Sequence, residues 1–199
     1  KLVVIETYPN NFKSIGVEST IDIISNSELD IQIAKLGLYS KNAKVINALI
    51  YKKFLELNGE YSSFNENYIK DNDTYIDGGF VEKELNYFQS KSYSKMKWEV
   101  NPEQLSVFNE ILVILNKQNI PYVLIQAPIT KAFYTAHENN TYFDSIMVES
   151  GTYYNFNEKL SLNDSLHFYD HHHLNQNGVN IFNKEVLRII DSFRLNTRY

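Results

Sequence analysis

The sequence predicts an α/β fold in which a parallel sheet is covered by helices on both sides. Two short runs, Leu2–Ile5 and Ile120–Ala127, are continuously apolar and rich in β-branched residues. Such runs read as strands buried on both faces, not as the alternating strands of a half-exposed sheet. Between and after them lie segments whose apolar residues recur three and four positions apart, the helical period. A chain of 199 residues with 43% hydrophobic content is long enough to bury one core without covalent staples, so a single domain over residues 1–199 is expected.

In chain order, Leu2–Ile5 is stopped by the turn chemistry of Glu6-Thr7-Tyr8-Pro9-Asn10-Asn11. The stretch to Asn26 is mixed and reads as loop, with at most a short element around Ile21–Ile24. From about Asp30 to Leu57, Ile33, Leu36, Val45, Ile46, Leu49, Ile50 and Phe54 keep helical spacing, and Gly37 and Ser40 divide the stretch into two helices. Residues 58–100 are dominated by Asn, Asp, Gly, Ser and Tyr, with a turn at Gly78-Gly79, and are read as loop and substrate-facing surface. Asn101-Pro102 opens the next helix, with Leu105, Phe108, Ile111, Leu112 and Leu115 on one face. Pro128 ends the second strand. Short helices are expected at Thr130–His137 and Phe143–Glu149. The last helix begins near Asn175 and carries Val179, Phe182, Val186, Ile189, Ile190 and Phe193.

Composition removes several classes of function. With 24 acidic against 19 basic residues and a formal charge of −5, the chain has no electrostatic footprint for a polyanion, so nucleic acid is not an expected partner. The absence of cysteine excludes disulfides and thiolate metal sites. No apolar run approaches the roughly 18–20 residues that span a bilayer, so no transmembrane segment is expected. Because Lys1 leads straight into a buried strand without an initiator Met, a further segment upstream is also expected.

The densest chemical signal is the run from His167 to Gly178, which holds four of the five histidines just before the final helix. An Asp three residues before a His, Asp170 and His173, can accept from the imidazole Nδ1–H. That contact fixes the tautomer, leaves Nε2 as a general base and stabilises the imidazolium formed in reaction. Two other readings stand beside it. One is a capping Asp and a surface His at a helix entrance. The other is a metal held by Asp170, His171 and His173, against which three adjacent histidines normally point apart. Glu6, at a strand end, reads equally as a site residue or an ion-pair partner. Tyr61, Tyr68, Tyr75, Tyr87 and Tyr93 read as sugar-stacking rings or as ordinary amphipathic filler.

The Asp-x-x-His-Leu-Asn-x-x-Gly pattern of Asp170, His173, Leu174, Asn175 and Gly178, followed by a C-terminal helix, resembles the last block of the SGNH/GDSL hydrolase superfamily. It is closest to its cell-envelope acyltransferase branch, which includes alginate O-acetylation proteins. The resemblance implies a flavodoxin-like three-layer αβα fold, with Lys1–Pro9 as a central strand and Ile120–Pro128 as the next. It implies Asp170 and His173 as catalytic residues in Ser-His-Asp chemistry on an ester, with an acetylated envelope glycan as substrate, no cofactor and no metal. It also implies a cell-envelope, periplasmic or extracellular location. The family's Ser turn does not occur in this sequence, so the nucleophile and first strand are expected upstream. The Gly-x-Asn oxyanion block is not intact, and Asn10 is the residue left to donate. The alternative is a non-catalytic module of the same fold that binds a glycan or a protein.

Overall fold

The computed structural model describes residues 1–14, 16–59, 69–70, 73–76 and 80–196. These residues form a mixed α/β structure with eight α-helices and a small parallel three-stranded sheet. By internal contacts they divide into two compact units, one of Lys1–Lys13 with Tyr68–Tyr199, the other of Ser14–Asn67.

The larger unit is built on β1 (Val3–Glu6), β5 (Tyr122–Gln126) and β6 (Tyr153–Asn155), in the order β1-β5-β6. Both pairings are parallel, with Val3 opposite Tyr122, Glu6 opposite Ile125 and Gln126 opposite Asn155. The central strand is covered on both faces, as its unbroken apolar sequence demands. On one side Leu124 joins Phe108 and Leu112 of α4 (Pro102–Lys117) and Phe143 and Met147 of α6 (Asn140–Ser150). On the other, Val123 and Ile125 meet Phe156 of the short α7 (Phe156–Lys159) and the Phe182-Val186-Ile189-Phe193 stripe of α8 (Gln176–Asn196). Fully burying an aliphatic or aromatic side chain is worth roughly 1.5–3 kcal/mol, so these two clusters supply the main cohesion. The third strand, β6, is only three residues long and carries two tyrosines, too brief for an alternation or an apolar run to announce it.

The carboxyl edge of this sheet is polar and tightly bonded. Tyr153 lies within 2.7 Å of both Gln126 Oε1 and Asp144 Oδ1, and Asn155 Nδ2 donates to Asp144 and to the Tyr134 hydroxyl. Burial, reinforced by Asp144, raises the Tyr153 pKa far above its ordinary value, so the phenol stays neutral. After β5, the turn to α5 (Lys131–Ala136) is fixed by Asp164, whose carboxylate accepts from the Lys131 and Ala132 amides at 2.7 and 3.1 Å.

The segment read from sequence as loop over residues 58–100 holds three short antiparallel strands, β2 (Ile69–Lys70), β3 (Asp73–Ile76) and β4 (Phe80–Glu82). Strands of two to four residues carry no period that a sequence window can resolve. Tyr61, Tyr68 and the Gly78-Gly79 pair lie outside the described residues.

The smaller unit packs three helices, α1 (Val17–Asn26), α2 (Ile31–Tyr39) and α3 (Ala43–Leu57). Where the sequence reads as loop to Asn26, the structure has α1. Val17, Ile21 and Ile24 do stand at helical spacing along it, but the run is only ten residues long and buries only Thr20 and Ile24. The break between α2 and α3 falls at residues 40–42, while Gly37, expected to share in dividing the two helices, lies within α2. Asp30 caps α2 through the Gln32 and Ile33 amides, both at 2.8 Å, and Asn42 caps α3 through Lys44 N at 2.9 Å. Gly37 is buried because a Cβ there would run into Leu49.

Candidate active site

The His-rich segment is a closed turn. Phe168 and Leu174 form an antiparallel bridge, and Tyr169 N donates to His173 O at 2.8 Å. Inside it, Asp170 acts as an Asx cap, its Oδ1 accepting from the His172 and His173 amides, both at 2.8 Å. Its other oxygen, Oδ2, lies 2.8 Å from His173 Nδ1. One carboxylate therefore folds the turn and orients the imidazole. The capping reading and the catalytic reading of Asp170 describe two oxygens of the same group.

That contact assigns the proton to Nδ1 and leaves the Nε2 lone pair free. Partial burial works to raise the Asp170 pKa. The hydrogen bonds from His173 and the two backbone amides outweigh it and hold the carboxyl below its usual value, so it is ionised at neutral pH.

The Leu-Asn-x-x-Gly continuation explains how the turn is held. Asn175, 4% exposed, caps α8 by accepting from the Asn177 and Gly178 amides at 3.1 Å. Its amide donates to Asn86 O at 2.9 Å and Leu166 O at 3.0 Å. At Gly178 a Cβ would collide with the His167 carbonyl, so glycine alone lets α8 approach the segment leading into the turn. From the turn between β5 and α5, Thr130 donates through its amide and hydroxyl to His171 O at 3.1 and 3.0 Å. From the end of β1, Tyr8 lies parallel to the His172 ring, 6.2 Å between centroids. The turn thus sits at the carboxyl edge of the parallel strands, where open α/β sheets place their ligands.

Charge converges there too. Glu6, exposed at the end of β1, is still crowded enough that lost hydration raises its carboxyl pKa, while His173 opposes the rise. Burial, then the charges of Asp170 and Glu6, push the Tyr8 phenol up to about 12. Burial likewise lowers the His172 pKa, with His173 adding to the effect. Glu6 therefore belongs to the electrostatic surroundings of the pair, a question the sequence left open. Beside it lies a cleft of about 390 Å³ lined by Val81, Lys83, Tyr169, Asp170, His173 and Val179, among others. Lys83 Nζ stands 5.7 Å from the Tyr169 ring centre and is paired with Asp73 at 2.8 Å.

Asn10 lies in a 3-10 turn, Pro9–Phe12, with its backbone carbonyl accepting from Lys13 N. Among the described residues its side chain makes no hydrogen bond to Asp170 or His173, and no Ser or Thr hydroxyl donates to His173. His137 is elsewhere, stacked on Trp98 at 3.4 Å, and His167 Nδ1 accepts from Asn163 N at 2.9 Å. Tyr8, Thr130 and Lys83 escaped the sequence reading. Only Tyr8 left a signal, as the residue two beyond the end of an expected strand. No helix among the described residues is long and apolar enough to cross a membrane. The chain matches no family model, no curated protein and no solved structure.

Proposed function

We propose that this chain carries the acid–base half of an SGNH-type esterase or O-acyltransferase. The observation that carries the reading is the 2.8 Å contact between His173 Nδ1 and an ionised Asp170, made in a turn that borders a cleft at the sheet's carboxyl edge. In this reading β1, β5 and β6 are strands of the three-layer fold expected for that superfamily. The nucleophile is a serine hydroxyl from outside the 199 residues.

The chemistry follows from the pair. His173 Nε2 takes the proton as the serine oxygen attacks the ester carbon, and Asp170 stabilises the imidazolium so formed. His173 then returns the proton to the leaving alcohol as the C–O bond breaks, and the acyl group rests on serine. Water or a sugar hydroxyl, deprotonated by the same nitrogen, completes hydrolysis or transfer. Tyr169 and Lys83 give the cleft an aromatic face and a cation, a lining suited to a polar ring such as an acetylated envelope glycan. An envelope location accompanies that substrate.

Labelling with a serine-directed fluorophosphonate, on protein expressed with its upstream coding sequence, tests the reading. Labelling should fall by about 10³-fold or more in His173→Ala, a loss typical for a member of such a triad. Equal labelling of the two proteins would end the proposal, and no labelling of either would leave the non-catalytic binding module as the surviving reading.

A further inference from the structure

We infer that the same turn is a binding site for a transition-metal ion of the Zn²⁺ class, and that occupancy switches His173 off as a base. Asp170, His172 and His173 each offer a ligand atom, and these atoms lie within 4.8 Å of one another. Three adjacent histidines are expected to point apart, and in an open strand or a helix they do. Here the turn that Asp170 closes curls them inward. His172 Nδ1 lies 3.4 Å from Asp170 Oδ1, and His173 Nδ1 lies 2.8 Å from Oδ2. His171 Nε2 stands 3.0 Å from His172 Nδ1. Donors around a tetrahedral ion with bonds of 2.0–2.1 Å are separated by about 3.3 Å, so the His173–Asp170 pair opens slightly and the three ligand atoms, all within 4.8 Å of one another, draw together around the ion.

The donor set selects the ion. Two imidazoles and one carboxylate suit Zn²⁺, Cu²⁺ or Ni²⁺, and do not suit Mg²⁺ or Ca²⁺, which take oxygen ligands. The supports a metal site needs are also present. Two backbone amides fix the carboxylate, Tyr8 lies parallel to the His172 ring, and Thr130 anchors the His171 carbonyl. The side chains are 33% exposed at Asp170, 29% at His172 and 64% at His173, so an ion enters directly from solvent.

The consequence lies in the tautomer. Without metal, Nδ1 carries the proton and Nε2 the lone pair. An ion bound at His173 Nδ1 takes the nitrogen that held the proton, and in neutral imidazole that proton then resides on Nε2. No proton is gained or lost overall, but the lone pair needed to deprotonate a hydroxyl is gone, and Asp170 is engaged by the ion. Binding itself stands on geometry alone. Only the inhibitory consequence rests on the proposed role of His173.

Titration calorimetry of tag-free protein with Zn²⁺, with Mg²⁺ as the comparison ion, tests the binding. One Zn²⁺ per chain and no Mg²⁺ response are expected. His172→Ala and His173→Ala should each weaken binding at least about tenfold, since even an outer partner of a metal ligand is worth roughly 10–100-fold. His167→Ala, outside the cluster, should bind as the parent does, and circular dichroism checks that each variant is folded. Nitrogen-15 spectra of the imidazoles should show His173 Nε2 changing from lone-pair to N–H character on addition of Zn²⁺. Absence of saturable binding, or binding unaltered in both variants, overturns the site. Binding with Nε2 unchanged overturns the switch. Neither result bears on fluorophosphonate labelling, which reports the acid–base reading separately.

Discussion

Asn175→Ala tests whether the turn's position depends on one buried amide. Asn175 spends both ends of its side chain. Oδ1 satisfies two of the orphan amides that open α8, and Nδ2 serves Asn86 O and Leu166 O. Removing an N-cap costs about 1 kcal/mol, within a range of roughly 0.5–2. Each lost hydrogen bond to a carbonyl adds a net 0.5–1.5 kcal/mol or so. The buried Gly178 amide gains no water in exchange. Together these place the loss at about 3 kcal/mol, and at roughly 2–4 °C per kcal/mol for a chain of this size Tm should fall by about 6–12 °C. Urea and thermal unfolding followed by circular dichroism would measure it, with Gln176→Ala on the first turn of α8 as the surface comparison. Asn175→Asp keeps the cap oxygen but loses the donated bonds and adds a buried charge, so it should be no better than alanine. An alanine variant within about 0.5 kcal/mol of the parent would refute the argument, because the contacts to Asn86 and Leu166 would then carry no energy.

Gly178→Ala should cost about 1–3 kcal/mol by unfolding in urea, since its methyl group has to displace the His167 backbone. Asp170→Asn should reduce fluorophosphonate labelling by about 10³–10⁴-fold with the fold intact, because an amide no longer fixes the Nδ1–H tautomer or stabilises the imidazolium. His137 makes stability depend on pH. Burial lowers its pKa below the ordinary 6.5, opposed by its contact with the Phe133 carbonyl, so the unfolded chain binds a proton that the folded chain refuses. Its contribution is complete above about pH 6.5 and is lost as the pH falls below that value. Unfolding midpoints at pH 5 and pH 7.5 should converge in His137→Gln relative to the parent. Trp98, the only tryptophan and stacked on His137, provides the fluorescence signal.

Much of the scaffold was legible because the signals were local and redundant. The apolar run at Tyr122–Gln126 has no exposed face to alternate with, and α4 and α8 repeat their apolar stripes over three or more turns; Val3–Glu6, expected to be buried on both faces, is instead an edge strand whose Val4 and Glu6 are exposed. Where elements were brief, the same method failed: β6 and the β2–β4 strands are two to four residues long, and α1 buries only two side chains. Asp170 and His173 were readable because the device that joins them is itself local, a three-residue spacing closed by an Asx turn.

The sequence by itself determined the α/β character, the main helices and the chemical identity of the turn, because period, capping and short-range spacing are written within a few residues. Only the tertiary structure decided what surrounds the turn. It brought Tyr8 and Glu6 from the end of β1, Thr130 from beyond β5 and Lys83 from a loop-like segment to one sheet edge. It also turned His172 inward with His173 toward a single carboxylate. Those neighbours are tens of residues apart, and their meeting is set by strand order and by the burial of β5 between helices, which no local pattern encodes.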